Sequence, residues 1–289
     1  MSTENVLFVT LDSCRLDVAL AACTPNLDSI GSFTACDATA TFTLPAHFCF
    51  FSSFLPVPLE PTRFLGRYDR LWRSYAARPT NKAVYQWIDR STVTEHYRAK
   101  GYHVHGIGGV QFFDPRIRSN LLPQLFDTFD YHSLRSVEDS DSDDTVLTAA
   151  AMLAGVKQMP TEQPFFLFAN LSETHYPYVS PDCTRDRATI SALTVIREAL
   201  PDKRHIRIPA RALKDLLRPA HMRQVEAVEW IDRCFGEVVR VLHSMPRPTL
   251  VIVCSDHGES FGEQGLVGHG HSGPEVMAVP MWVGLVTPG

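Results

Sequence analysis

The chain has 289 residues, 45% hydrophobic and 20% charged, an ordinary balance for a globular chain with a sizeable core. Its net charge of −5 implies no general attraction to nucleic acid. The start, Met1-Ser2-Thr3-Glu4-Asn5, lacks a basic region ahead of a long apolar run, and no stretch approaches transmembrane length, so neither signal peptide nor membrane contact is expected. The seven cysteines are odd in number and lack close pair spacing, so they read as reduced core thiols, and a cytoplasmic location is the expectation.

The first predicted strand covers residues 5–11. Val6-Leu7-Phe8-Val9-Thr10-Leu11 is apolar rather than alternating, as for a strand covered on both faces, and it breaks off into Asp12. Thr41-Phe42-Thr43-Leu44-Pro45-Ala46-His47 follows, with Pro45 marking the start of a buried aromatic helix over 45–54. A threonine hydroxyl there feels the positive end of the helix dipole, which favours an alkoxide and an approaching anion.

Residues 56–92 mix proline with basic and aromatic residues (Arg63, Arg67, Arg70, Trp72, Arg73, Arg78) and read as an exposed loop or an anion-binding wall. A helix is predicted over 91–100, stopped at Lys100-Gly101, then a strand from Tyr102 to Ile107 ending in Gly108-Gly109. The acidic stretch 136–144 leads into a helix over 144–158, with Asp143 or Asp144 favourable near its start. Residues 165–171 form a strand opening into Ser172-Glu173-Thr174-His175, and 182–220 are charged without strong periodicity, a second candidate insertion. Residues 219–243 carry a helical pattern, and the strand 249–254 runs into Ser255-Asp256-His257-Gly258-Glu259. The alternation of strands and helices argues for a mostly parallel sheet with helices on both faces. Reacting groups in such sheets gather at the carboxyl ends of strands, where Asp12, Asp256 and His257 all fall.

These blocks together resemble the alkaline phosphatase superfamily in its sulfatase-like branch. The resemblance is carried in order by Asp12 with Arg15 and Asp17, Thr24-Pro25-Asn26-Leu27-Asp28, Thr43-Leu44-Pro45-Ala46-His47, Phe165-Phe166-Leu167-Phe168 leading to His175-Tyr176-Pro177-Tyr178, Ser255 to Glu259, His269-Gly270, and Val279-Pro280. It spans nearly the whole chain and implies one catalytic domain over 1–289, a three-layer α/β/α sandwich with a mostly parallel central sheet. Insertions at 56–92 and 182–220 would be lids that choose the substrate.

What the resemblance implies for the site is specific. Asp12, Asp256 and His257 would hold a divalent ion, completed by Thr43 as nucleophile. The mixed carboxylate and imidazole set suits zinc or manganese better than calcium, and one ion is expected rather than two. A second site built from Glu173, His175 and His269 or His271 is the alternative. His175 matches a substrate-binding histidine and His269 one near the leaving group, so both count as catalytic as well as substrate-binding. Arg15 and His47 complete the substrate-binding candidates, His47 from its position one helical turn after Thr43, where a packed role is an equal reading.

Two departures shape the expected reaction. Sulfatases of this branch oxidise a Cys or Ser to formylglycine, in a Cys-x-Pro-x-Arg setting; here Thr43 and His47 occupy those places, and threonine cannot become that aldehyde hydrate. Ser13 stands where many sulfatases have another metal-binding Asp. The expectation is a metal-dependent hydrolase of small phosphate mono- or diesters, through a phosphothreonine. A sulfatase-like esterase, a phosphotransferase to an alcohol and a catalytically silent binding protein stay open.

Overall fold

The computed structural model describes residues 4–53, 72–73, 86–87, 91–133, 146–199 and 208–289. A seven-stranded sheet organises them, built in chain order from β1 (Asn5–Leu11), β2 (Ser32–Asp37), β3 (His103–Gly108), β4 (Thr128–Tyr131), β5 (Phe165–Leu171), β6 (Thr249–Ser255) and β7 (Ala278–Val286). Its spatial order is β2-β7-β6-β1-β5-β3-β4. The five strands from β6 to β4 run parallel, and β7 is antiparallel to both β6 and β2.

The uninterrupted apolar runs are two-faced. In β5, Phe165, Leu167, Ala169 and Leu171 enter one core and Phe166 and Phe168 the other; in β1, Leu7, Val9 and Leu11 face the first core and Val6 and Phe8 the second. A strand whose side chains alternate between two cores needs apolar residues at every position. Helices α1 (Leu16–Ala21), α2 (Pro25–Ile30), α5 (Thr148–Gln158) and α7 (Ala210–His243) supply the first core, through residues such as Val18, Leu27, Met152 and Phe235. Helices α3 (Thr43–Ser52) and α4 (Val93–Ala99) cover the other face, where Phe51, Phe126 and Phe168 pack edge-on and stacked beside the buried Phe48. Emptying that cluster by Phe168→Ala would cost about 3–5 kcal/mol. The expected three layers are present.

Helix boundaries moved for identifiable reasons. α4 begins after Thr92, which accepts from the Glu95 amide at 3.2 Å while Glu95 returns a bond to the Thr92 amide at 2.7 Å, a capping box. α5 starts at Thr148, and the expected aspartates 143 and 144 lie outside the described residues. Its first turn is held by Glu173, just past the end of β5, which accepts from the Ala149 amide at 2.6 Å and from the Thr148 hydroxyl.

The segment 182–220 differs more from its reading. Residues 187–199 form helix α6 (Arg187–Ala199), and α7 begins at Ala210 rather than 219, running through Pro219. Ala192, Ile196, Leu213, Leu217 and Ala220 pack with Tyr178 and Phe261 into a third small core. Most of 56–92 and 136–144, the other irregular stretches, lies outside the described residues. Among the described residues, no helix is long and apolar enough to cross a membrane.

Candidate metal centre and active-site cleft

Parallel alignment of β1 and β6 pairs Leu11 with Ser255, so Asp12 and Asp256 emerge side by side at the carboxyl edge. Asp12, Asp256 and His257 are completely buried, and one donor atom from each lies within 4.8 Å of the others. His257 Nε2 stands 3.5 Å from Asp256 Oδ2 and 4.0 Å from Asp12 Oδ1.

Local bonds fix how each ligand points. Ser13, with a left-handed φ of 63°, donates its amide to Asp256 Oδ1 at 3.1 Å and its hydroxyl to Asp12 Oδ1 at 3.2 Å. One residue thus steadies both carboxylates. The His257 Nδ1–H donates to the Gly258 carbonyl at 2.9 Å, leaving the Nε2 lone pair facing the carboxylates. Asn170, at the end of β5, donates to Asp12 Oδ2 at 3.1 Å.

The electrostatics suit a bound cation. Burial drives the Asp256 carboxyl well above its usual range, reinforced by the Asp12 charge. Burial would do the same to Asp12, but His175, His257 and His47 and the Asn170 bond bring it below its usual range. Burial and the neighbouring His269 lower His257 to about 3, so it stays a neutral ligand. Asp256 Oδ2 is buried without a hydrogen-bond partner, a costly arrangement unless a ligand completes it. The residues fit a divalent ion.

Thr43 opens helix α3 against this cluster. Its hydroxyl lies 3.4 Å from Asp12 Oδ2 and 3.4 Å from His257 Nε2, and α3 has no side-chain N-cap competing for the dipole's positive end. Above it opens a cleft of about 430 Å³, walled by Thr43, His175 and His269 on one side and by Gln111, Arg116 and Tyr131 on the other. The His175 and His269 rings are 5.6 Å apart, and His269 Nδ1 lies 3.3 Å from the buried Glu259 carboxylate. The sequence reading gave Glu259 no role, although it stands within the Ser255–Glu259 block.

Not every expected residue reaches the cleft. Arg15 is buried beside it, but its guanidinium is occupied by Asp17 at 2.7 and 2.8 Å, Glu263 at 2.9 Å and the Glu259 carbonyl at 3.0 Å. It braces the loop after β6 rather than facing a ligand. His47 is fully buried among Phe50, Phe51, Phe113 and Phe168, beneath α3. Its Nδ1 lies 2.7 Å from the Thr43 carbonyl and its Nε2 3.0 Å from the Thr10 hydroxyl. Of the residues considered for a second ion, Glu173 is spent on the start of α5, and His271 Nε2 meets the Ser260 hydroxyl at 2.9 Å.

The far wall was unforeseen. The loop after β3 is held by Asn120, whose amide donates to the Gln111 and Asp114 carbonyls at 2.6 and 3.0 Å. Arg116 is clamped by Asp114 and lies over the Tyr131 ring at 5.5 Å. The sole signal for it was the Gly108-Gly109 pair ending a buried strand.

The family model described as Sulfatase matches residues 4–283. Among solved structures, a 2-O GAG sulfatase superposes with a TM-score of 0.60 at 15% identity, covering 98% of this chain and 64% of its own. The phosphonate monoester hydrolase of Agrobacterium radiobacter gives 0.58 at 16% identity, with 97% and 68% covered. The C-terminal periplasmic domain of EcEptC from Escherichia coli, a complex with zinc, gives 0.55 at 12%, with 98% and 74% covered. The chain thus spans less than two thirds of the 2-O GAG sulfatase. No curated protein matches the chain significantly in sequence.

Proposed function

Because the chain belongs to the sulfatase family, with the alkaline phosphatase-like fold that goes with it, we propose that it hydrolyses phosphate esters with Thr43 as nucleophile. The observation that carries this reading is a threonine hydroxyl, not a formylglycine precursor, at the head of α3 and 3.4 Å from the Asp12 and His257 donors. A divalent ion held by Asp12, Asp256 and His257 would lower the pKa of that hydroxyl and screen the anionic ester from it. Zinc or manganese suits this donor set.

Thr43 Oγ attacks phosphorus in line, forming a Thr43–phosphate bond as the ester P–O bond breaks. Its proton leaves to water in the cleft, because Asp12, held below its usual range and committed to the ion, is no base for it. His269, oriented by Glu259, faces the cleft with His175 and is placed to give the departing alkoxide a proton. Water then attacks phosphorus and gives a proton back to His269 as the Thr43–phosphate bond breaks; phosphate leaves and the Thr43 oxygen regains its proton from water. The alcohol part of the ester would lie along the Gln111, Arg116 and Tyr131 wall.

A second reading, sulfate ester hydrolysis, has support from the family description and from the likeness to a sulfatase. A sulfated threonine lacks the hemiacetal route by which a sulfated aldehyde hydrate collapses. Matched aryl phosphate, phosphonate and sulfate esters, assayed with zinc and with manganese, separate the two. Phosphate turnover should exceed sulfate turnover by at least about a hundredfold, about 2.7 kcal/mol in barrier. Comparable rates would restore the sulfatase reading.

A further inference from the structure

Beneath the catalytic surface runs an unbroken line of buried polar contacts through β5, β1 and α3. Asn170 Nδ2 lies 3.1 Å from Asp12 Oδ2 and 3.1 Å from the Thr10 hydroxyl. The Thr10 hydroxyl lies 3.0 Å from His47 Nε2, and His47 Nδ1 lies 2.7 Å from the Thr43 carbonyl. All these side chains are buried, with Asn170, Thr10 and His47 showing 0% exposure.

The two ends of this line dictate its direction. A carbonyl can only accept, so His47 carries its proton on Nδ1, and in the neutral ring Nε2 is then bare. Thr10 must then donate to Nε2, and its oxygen is free to accept. At the other end a carboxylate can only accept, so Asn170 presents its NH₂, which has one proton for Asp12 and one for Thr10. Every donor meets an acceptor, and no member can be reversed without breaking both neighbours. Asn170 Oδ1 is left buried without a partner, a cost that marks the amide's orientation as determined by these two bonds.

We infer that Asn170, Thr10 and His47 are positioning residues, a one-way relay that holds the nucleophile's helix at a fixed distance from Asp12. None touches the cleft; they act through Thr43 and Asp12. The inference extends the reading of Thr43 as nucleophile and gives His47 a task within the fold in place of contact with substrate.

Two measurements on the full chain test it. Nitrogen NMR of isotope-labelled histidine, with the His47 signals identified by their loss in His47→Gln, should show Nδ1 protonated and Nε2 bare in the unsubstituted protein. In Thr10→Val, which keeps shape but removes the hydroxyl, that single tautomer should be lost and kcat should fall at least about tenfold at unchanged KM, while Thr10→Ser restores both. A wild-type His47 protonated on Nε2, or on both nitrogens, overturns the relay. So does Thr10→Val with wild-type kcat, or a Thr10→Ser variant as impaired as Thr10→Val. The tautomer reading needs neither turnover nor a folded Thr10→Val, so it decides the relay even if no phosphate ester proves to be a substrate.

Discussion

The Gly270 amide donates to the Thr41 carbonyl at 2.7 Å. That backbone bond ties the loop carrying His269 to the segment that leads into Thr43, and so holds the proposed leaving-group side of the cleft against the proposed nucleophile. Gly270 takes a left-handed φ of 87° to make the turn, a conformation that glycine reaches without strain. The proposed catalytic geometry therefore depends on loop registration as well as on the sheet that delivers Asp12, Asp256 and His257.

The ligand set is tested by metal content. Asp256→Ala and Asp12→Ala should each retain less than about a tenth of the ion found in the unsubstituted protein, because each removes one of three donors from a closed cluster. Elemental analysis after gel filtration reads this directly. Undiminished metal in both variants would place the ion elsewhere.

The nucleophile is tested by trapping. Thr43→Ala removes only a hydroxyl and a methyl at the head of α3, so the circular dichroism spectrum should be unchanged while ester turnover disappears. Acid quench of the unsubstituted protein during turnover, followed by mass spectrometry, should find phosphate on Thr43 and on no other residue. Full activity in Thr43→Ala would send the search to Thr41, whose hydroxyl is buried without a partner.

Arg15 separates bracing from substrate binding. Arg15→Gln abandons the Asp17 and Glu263 carboxylates, and urea unfolding should show a loss of about 2 kcal/mol, the scale of a hydrogen bond to a charged group. KM should stay within about twofold, since uniform substrate binding is untouched. A raised KM at unchanged stability would return Arg15 to the cleft.

His105 gives a pH signature away from the metal centre. Burial lowers its pKa below the usual 6.5, with His103 acting in the same direction and Asp130 and Thr128 opposing. A histidine depressed in the folded state is neutral when folded and protonates more readily when unfolded. Its contribution is therefore complete above about pH 6.5 and is lost as pH falls toward the lower folded value. Thermal melts from pH 7.5 down to 5 should steepen in the unsubstituted protein relative to His105→Gln, the range spanning that usual value. Parallel curves would assign the dependence to other groups.

Much of the architecture was legible because buried strands advertise themselves. The runs at 5–11, 165–171 and 249–254 are apolar at nearly every position, which only a strand between two cores requires, and their ends named Asp12, Asp256 and His257. The start of α3 was legible from Pro45 to within two residues, the helix opening at Thr43 rather than at 45. The 182–220 segment was not, because α6 and the first turns of α7 are amphipathic over a small core of their own, and their charged outer faces dilute the pattern.

By itself, the sequence determined which chemical groups are present and at which strand ends they emerge. It could not determine their partners. Arg15 and His47 are residue types that bind anions, and only the tertiary structure shows the first spent on Asp17 and Glu263 and the second sealed beneath α3. Glu173, a plausible ligand by composition, is consumed as a cap for a helix that enters the chain far upstream. Asn170 gained its role only when β5 was laid against β1. Local propensity follows from neighbours along the chain, whereas a polar side chain's function depends on which distant donor or acceptor reaches it first once water is excluded.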